Sequence, residues 1–256
     1  MKMISSSSNP EIKKIKLLIS KSRERKKQKL FVVEGKREIS RAYQSGYKLV
    51  SVYYRENYSG NYEWDKKTPS FEVKKKLFDK ITIRSGSEKM IALVSTKELK
   101  LDQLILTKKA RVLVIESPEK PGNIGAILRT AAAAEINAVI ISNIKTDIFH
   151  PNIIRSSLGG IFLLQIAIDS SNRTINFLKK KNISIISTSS NEKAKKYSEI
   201  NYKTPFALIF GSEDKGLNPI WFKRSDQVVK IPTNQTIDSL NLSVSAGILI
   251  YHSLNH

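Results

Sequence analysis

Three short segments of the C-terminal half hold the side chains most able to do chemistry. They are PGNIGAILR at 121–129, FGSEDKGL at 210–217 and IPTNQTIDSLNLS at 231–243. The first carries Asn123 and Arg129, the second Glu213, the third Ser239 and Asn241. Together they offer a permanently charged guanidinium, a carboxylate, a hydroxyl and two amides. None of these is an activated nucleophile. The chain has no cysteine, and His150, His252 and His256 lack metal-ligand spacing. It also has no G-x-S-x-G elbow, no G-x-G-x-x-G after a strand and no phosphate-binding G-x-x-x-x-G-K-[ST] loop. The set suits a reaction in which a bound cofactor carries the reactive group and the protein orients the parts. Taken singly, each segment is equally an ordinary turn, with Arg129 solvated and Glu213 structural.

The elements around these segments give them a common location. Continuous apolar runs at 112–115, 138–141, 161–166, 183–187 and 206–210, with a short one at 228–230, read as strands. Unbroken apolar runs fit parallel strands buried on both faces. Helical spacing falls at 124–135, 152–158, 171–180 and 239–253. The order β-α-β-α-β-α-β-β-α predicts an open, mainly parallel sheet with helices on both faces. Ligands of such sheets bind beyond the carboxyl ends of the strands, where all three segments begin. Gly122 and Gly125 permit a tight turn, and Arg129 lies one helical turn beyond Gly125. Pro232 stops a strand, Ser239 is expected to cap the last helix, and Asn241 would lie in its first turn.

The N-terminal part reads as a separate small α/β domain. Residues 1–10 are polar and serine-rich, expected as a disordered tail. Residues 11–20 have helical spacing, and the basic run KSRERKKQK follows at 21–29. Strands are expected at 30–33, 49–53 and 91–94, helices at 37–44 and 71–78. The domain would span 11–95, with a linker at 96–109 and a second domain at 110–256.

The formal charge is +21 over 256 residues, with 44 Lys and Arg against 23 acids. Residues 1–105 contribute +13 and the remainder +8. Excess positive charge on both parts favours a polyanionic partner, although a lysine-rich composition set by an AT-rich genome gives the same balance. No apolar run is long enough to cross a bilayer, and the N-terminus has no apolar signal region. These features, with the missing cysteines, predict a cytoplasmic protein with no membrane partner and no metal.

The three segments, in this order, resemble the three motifs of the SpoU/TrmH class of RNA ribose 2′-O-methyltransferases, within the SPOUT superfamily. RSSLGGIF at 155–162 is similar to the stretch between the first and second motifs. KSRERKKQKLFVVEG at 21–35 resembles the substrate-binding domain of two-domain rRNA methyltransferases, and IALV at 91–94 its end. The resemblance spans residues 12–253. Two departures stand out: Thr233-Asn234-Gln235 replaces Met and Gly after Ile-Pro, and Ala134-Glu135-Ile136 replaces Ala-Phe-Gly.

The resemblance implies an α/β catalytic domain with a C-terminal trefoil knot, S-adenosylmethionine as cofactor, a homodimer, and an N-terminal domain similar to small RNA-binding ribosomal proteins. By motif position, Gly211, Ile231 and Leu240 would contact the cofactor. Arg129 matches the catalytic arginine. Asn123, Glu213, Ser239 and Asn241 match the remaining polar motif residues. The implied reaction methylates a ribose 2′-hydroxyl of structured RNA, with 23S ribosomal RNA first and transfer RNA second. A non-catalytic ribosome-assembly factor on the same fold is the alternative. Arg23, Arg25, Lys26, Lys27, Lys29 and Lys36 would contact phosphates. Tyr53, Tyr54, Tyr58, Tyr62 and Trp64 are candidates for stacking on bases or for packing in the domain core.

Overall fold

The computed structural model describes residues 2–60, 64–65, 67–83, 89–191, 193–234 and 239–254. Along the chain run β1 (Lys2–Ile4), α1 (Pro10–Ser20), α2 (Ser22–Gln28), β2 (Leu30–Glu34), α3 (Lys36–Gln44), β3 (Leu49–Arg55), β4 (Ser70–Val73), α4 (Lys75–Phe78) and β5 (Met90–Ser95). Then come β6 (Arg111–Glu116), α5 (Pro121–Ala133), β7 (Ala138–Ser142), α6 (Pro151–Ser156), α7 (Gly160–Leu163), β8 (Gln165–Asp169), α8 (Ser171–Lys180) and β9 (Ser184–Thr188). The last are β10 (Lys195–Lys196), β11 (Phe206–Phe210), α9 (Pro219–Arg224), β12 (Gln227–Lys230) and α10 (Leu242–Leu254). The chain divides into two compact units, Met1–Glu98 with Asp147–Leu163, and Leu99–Thr146 with Leu164–His256.

The first unit is a mixed five-stranded sheet in the order β1-β4-β3-β5-β2. Helix α1 starts where Asn9 accepts a hydrogen bond from the Glu11 amide at 2.9 Å and Pro10 occupies the first turn. Its Ile12, Ile15 and Leu18 are fully buried with Val32, Tyr53, Ile91 and Leu93. Residues 1–10, expected as a disordered tail, instead supply β1, which pairs in parallel with β4 and buries Ile4. Residues 71–78 are not one helix. β4 occupies their first half because Phe71 and Val73 pair with β3, and only Lys75–Phe78 turns helical.

The segment Asp147–Leu163 follows β7 in sequence yet packs into the first unit. Aromatic side chains explain this. Phe149 stacks on Phe31 with ring centres 4.4 Å apart, and Phe162 meets Tyr47 edge to face at 5.2 Å. Asp147 pairs with Arg25 at 2.5 Å, both side chains being almost wholly buried. Arg25 also donates to the carbonyls of Leu18 and Ile19 at 2.6 and 3.1 Å. The strand expected at 161–166 is a correction. Ile161 and Phe162 belong to α7, and β8 begins only at Gln165.

The second unit is a seven-stranded parallel sheet in the order β10-β12-β9-β11-β6-β7-β8. The central strands β6, β7 and β11 are the continuous apolar runs, and β7 and β11 are buried at every residue. The expected linker is partly core here, since Leu101 and Leu104 pack against Val112, Ala138 and Ala167. Helix α9 escaped the sequence reading, although Asn218 accepting from the Ile220 amide and Pro219 in the first turn are a start signal. Its Trp221 is fully buried. No helix among the described residues is long and apolar enough to cross a membrane.

A buried ion pair is costly to break from one side, because the surviving charge stays desolvated. Arg25→Met should lower unfolding stability by about 3–5 kcal/mol. Adding Asp147→Leu should return much of the loss. Urea denaturation of the two variants checks both.

Candidate functional site

Because every strand of the second sheet points the same way, the carboxyl ends of β6, β11 and β12 lie along one edge. After β11 the chain reverses at once. Ser212 and Gly216 exchange backbone hydrogen bonds at 3.1 Å, and the Lys215 amide donates to the Ser212 hydroxyl at 3.2 Å. Gly216 sits at φ +64, in the left-handed region. This hairpin folds tightly over Gly211, where an added methyl would lie 2.1 Å from the Gly216 carbonyl carbon and 2.4 Å from the Leu217 nitrogen. Both are backbone atoms, so only glycine fits.

A chain of hydrogen bonds joins the three segments. The Asn123 amide donates to Glu213 Oε1 at 2.7 Å, and Asn123 Oδ1 accepts from the Asn241 amide at 3.3 Å. Asn241 Oδ1 in turn accepts from the Ser243 amide at 2.9 Å and its hydroxyl at 2.7 Å. The carboxylate at one end and the start of α10 at the other fix both amides in one orientation. Asn241 is therefore the cap of α10. The cap expected from Ser239 is a correction, since the helix begins only at Leu242 and Ser239 lies exposed ahead of it.

Glu213 Oε2 is buried and has no hydrogen-bond partner. A buried acceptor without a donor costs about 1–3 kcal/mol, which a ligand donor would recover. Arg129 is exposed on α5 and engages no other described residue. Ile231 is half-buried just past β12, Leu240 is 36% exposed, and Gly211 is buried. These residues fit the expected cofactor: strand-end backbone groups suit an adenine edge, Leu240 its ring face, and the open carboxylate oxygen a hydroxyl or ammonium donor. Gln235, of the Thr233-Asn234-Gln235 departure, lies outside the described residues.

One contributor was missed by the sequence reading. Glu116, at the end of β6, is 3% exposed. Its Oε1 accepts from the Ser171 hydroxyl at 2.7 Å and the Asn143 amide at 3.3 Å, and its Oε2 from the Asn218 backbone amide at 3.3 Å. It thereby holds the loop after β11 to the end of β6 and the start of α8. An acid closing an otherwise apolar run, VLVIE, was the available signal.

In the first unit, Arg23, Lys26, Lys27, Lys29 and Lys36 are exposed. Arg23, Lys26 and Lys27 share one face of α2, at i, i+3 and i+4 spacing. Arg25 departs from the expectation: its guanidinium is buried on Asp147 and two carbonyls and cannot meet a phosphate. For the aromatic candidates, packing in the domain core is the outcome at three positions. Tyr53, Tyr54 and Trp64 are core residues, 0%, 2% and 4% exposed. Tyr53 is held by Glu11 and Ser51, and burial together with the Glu11 carboxylate pushes its phenol well above the usual range. Tyr58 stacks on Tyr54, and Tyr62 lies outside the described residues.

Residues 110–251 match the SpoU rRNA Methylase family, and residues 9–92 match the MRM3-like substrate binding domain. The chain belongs to the SpoU rRNA methylase family, whose members take their methyl group from S-adenosylmethionine. Among relatives, it is 27% identical to the 23S rRNA (guanosine(2553)-2′-O)-methyltransferase RlmP of Bacillus subtilis, over 98% of this chain and 99% of that protein. It is 33% identical to the 23S rRNA (guanosine-2′-O-)-methyltransferase RlmB of Acinetobacter baylyi, over 61% of this chain and 64% of the relative. A solved RNA 2′-O ribose methyltransferase is 33% identical and superposes with a TM-score of 0.85, covering 99% of this chain and 98% of that one. The fold is also that of the SpoU methyltransferase AviRb from Streptomyces viridochromogenes, solved with its cofactor AdoMet, at 23% identity, TM-score 0.86 and coverage of 96% and 98%.

Two substitutions test the site. Gly211→Ala should weaken S-adenosylmethionine binding at least tenfold, about 1.4 kcal/mol or more, in calorimetric titration. Asn123→Asp sets a second carboxylate against Glu213, which raises the pKa of one of the two. Methyl transfer by this variant should be low at alkaline pH and recover as pH falls and the pair takes up a shared proton. A pH–rate profile parallel to that of the unmodified enzyme would contradict the assignment.

Proposed function

We propose that the protein transfers the methyl group of S-adenosylmethionine to a ribose 2′-hydroxyl of structured RNA, with large-subunit ribosomal RNA as its substrate. The observation that carries this reading is the Glu213–Asn123–Asn241 chain, which gathers polar residues of all three family motifs around one edge of a parallel sheet. The names of the full-length relative and of the solved 33% neighbour support the chemistry and the RNA class.

The cofactor supplies an electrophilic methyl group on sulfur, and the side chains supply position and charge. Gly211, Ile231 and Leu240 hold the cofactor, chiefly through backbone groups. Arg129 is free to engage RNA. A guanidinium is a permanent cation, so Arg129 orients a phosphate or the 2′-hydroxyl and stabilises the developing alkoxide, while the hydroxyl proton leaves to water. Asn123, Glu213 and Asn241 hold the loops in register, with Ser239 at the rim. The basic residues Arg23, Lys26, Lys27, Lys29 and Lys36 contact RNA phosphates.

The path of the last elements supports the trefoil knot. β12 lies beyond β9, and the chain then returns so that α10 packs on α5 and β11. A homodimer is favoured by exposed Leu240, Val244 and Tyr251 at and along α10.

The decisive experiment is transfer of labelled methyl groups to ribosomal RNA from a strain lacking the gene, beside titration with S-adenosylmethionine. Label recovered as 2′-O-methylribose is the expected result. Tight RNA binding without cofactor binding would instead indicate a non-catalytic assembly factor. Arg129→Ala should lower kcat about 10²–10³-fold, as loss of a charge-stabilising donor does, with cofactor binding retained. RNA affinity should fall with salt at a log–log slope of about −0.7 per neutralised phosphate. Replacing Lys26 and Lys27 by Gln should make that slope shallower by about 1.4.

A further inference from the structure

The two ends of the parallel sheet differ in charge. In the six residues ahead of each of β6, β9, β11 and β12 stand eight lysines and arginines in all, against one acid. In the six residues after each of the same strands stand three cations and four acids. The balance is +7 at the amino edge and −1 at the carboxyl edge, where the three motifs meet. Crossover connections return the chain to the amino edge before every parallel strand, so the two edges are chemically separate surfaces. The positive excess of this unit faces away from the site already described.

β12, β9, β11 and β6 are neighbours in that order, so their leading turns lie side by side. Lys108 and Lys109 lead into β6, and Lys203 into β11. Lys179, Lys180 and Lys181 lead into β9, and Lys223 with Arg224 into β12. All eight are exposed, and none forms an ion pair with a described residue. Asp226, the one acid, accepts from the Ile185 amide at 2.7 Å and is committed to the sheet. Arg111 opens β6 at the same edge, and its Nε is buried with no hydrogen-bond partner. Helix ends account for part of the cluster, since the carbonyl termini of α8 and α9 favour cations. Lys108, Lys109 and Lys203 lie in connecting turns and gain nothing from a helix.

We propose that the amino edge of the second sheet binds the phosphodiester backbone of the RNA substrate, at a stretch remote from the methylated nucleotide. Four adjacent strands make a patch about 14 Å across from first to last. Strands of five or six residues set it about 17–20 Å from the opposite edge, too far for the target nucleotide to reach both. Seven of the eight cations are lysines. A lysine is a point charge on a flexible stem, which meets a phosphate without reading a base. The surface therefore adds affinity and orientation and no sequence preference. An anionic bilayer is matched less well, because the cations come from four separate turns and not from one amphipathic helix lying flat. The proposal rests on the reading of the protein as an RNA enzyme.

The test uses the full chain, 23S ribosomal RNA as the probe, and two triple variants. One combines Lys179→Gln, Lys180→Gln and Lys181→Gln, the other Lys108→Gln, Lys109→Gln and Lys203→Gln. Filter binding over a range of salt should give each variant a log–log slope shallower by about 2, from three contacts at about 0.7 each. In methyl-transfer assays KM for the RNA should rise roughly tenfold or more, with kcat and S-adenosylmethionine affinity within about twofold of the unmodified protein. A slope unchanged in either variant overturns the proposal. So does binding to phosphatidylserine vesicles that both variants lose while their RNA slopes stay the same. Methyl transfer by the unmodified protein with unchanged variant slopes sinks the amino-edge assignment alone. Shallower slopes without any transfer by the unmodified protein sink the enzymatic reading alone.

Discussion

The edge where the three motifs meet depends on a carboxylate, Glu213, that pairs with no cation among the described residues. Glu213 spends one oxygen on Asn123, and through that amide it fixes Asn241 and the start of α10. Three loops that are far apart in sequence thereby gain a common geometry from two side-chain hydrogen bonds. In a site partly shielded from water such bonds are stronger than at the surface, and each unmet group is correspondingly expensive. The second Glu213 oxygen, buried and unmet, is the place where this arrangement remains incomplete until something binds. Glu116 does comparable work one layer deeper, holding the loop after β11 from below.

This division of labour suits a reaction whose bond-breaking energy resides in the cofactor. The chain needs no nucleophile and no metal-binding cluster. On the proposed reading it uses loops that stay in place, a hairpin over Gly211 too tight for any side chain, and the permanent charge of an arginine. All three are present, and each comes from a different physical source: hydrogen bonding, backbone sterics and the high basicity of guanidinium.

Much of the second unit was legible because its strands are buried on both faces. FALIF and AVIIS leave no other reading, and their turn residues mark the functional edge. The helix 171–180 was equally clear from its spacing. What escaped was decided by partners remote in sequence. The tail became a strand because β4 offered an edge, and no local pattern records that. Arg25 sits in a run of solvated cations, and only Asp147, 122 residues away, withdraws it from the surface. The aromatic residues around β3 satisfied a stacking pattern and a core pattern alike, and burial chose the core. Similarity of motifs identified the family, but the cap at Asn241 and the role of Glu116 required coordinates.

The passage of residues Asp147–Leu163 into the first unit bears on how this protein can be taken apart. Its two parts look modular in sequence, with a linker expected at 96–109. They are not modular in their cores. A catalytic half expressed alone would carry Phe149 and Phe162 without their aromatic neighbours, and Asp147 without its arginine. A binding half cut before residue 98 would lack one wall of its interior. Exchange of such domains during evolution, or in the laboratory, therefore has to move three pieces of sequence together, or rewrite the middle one.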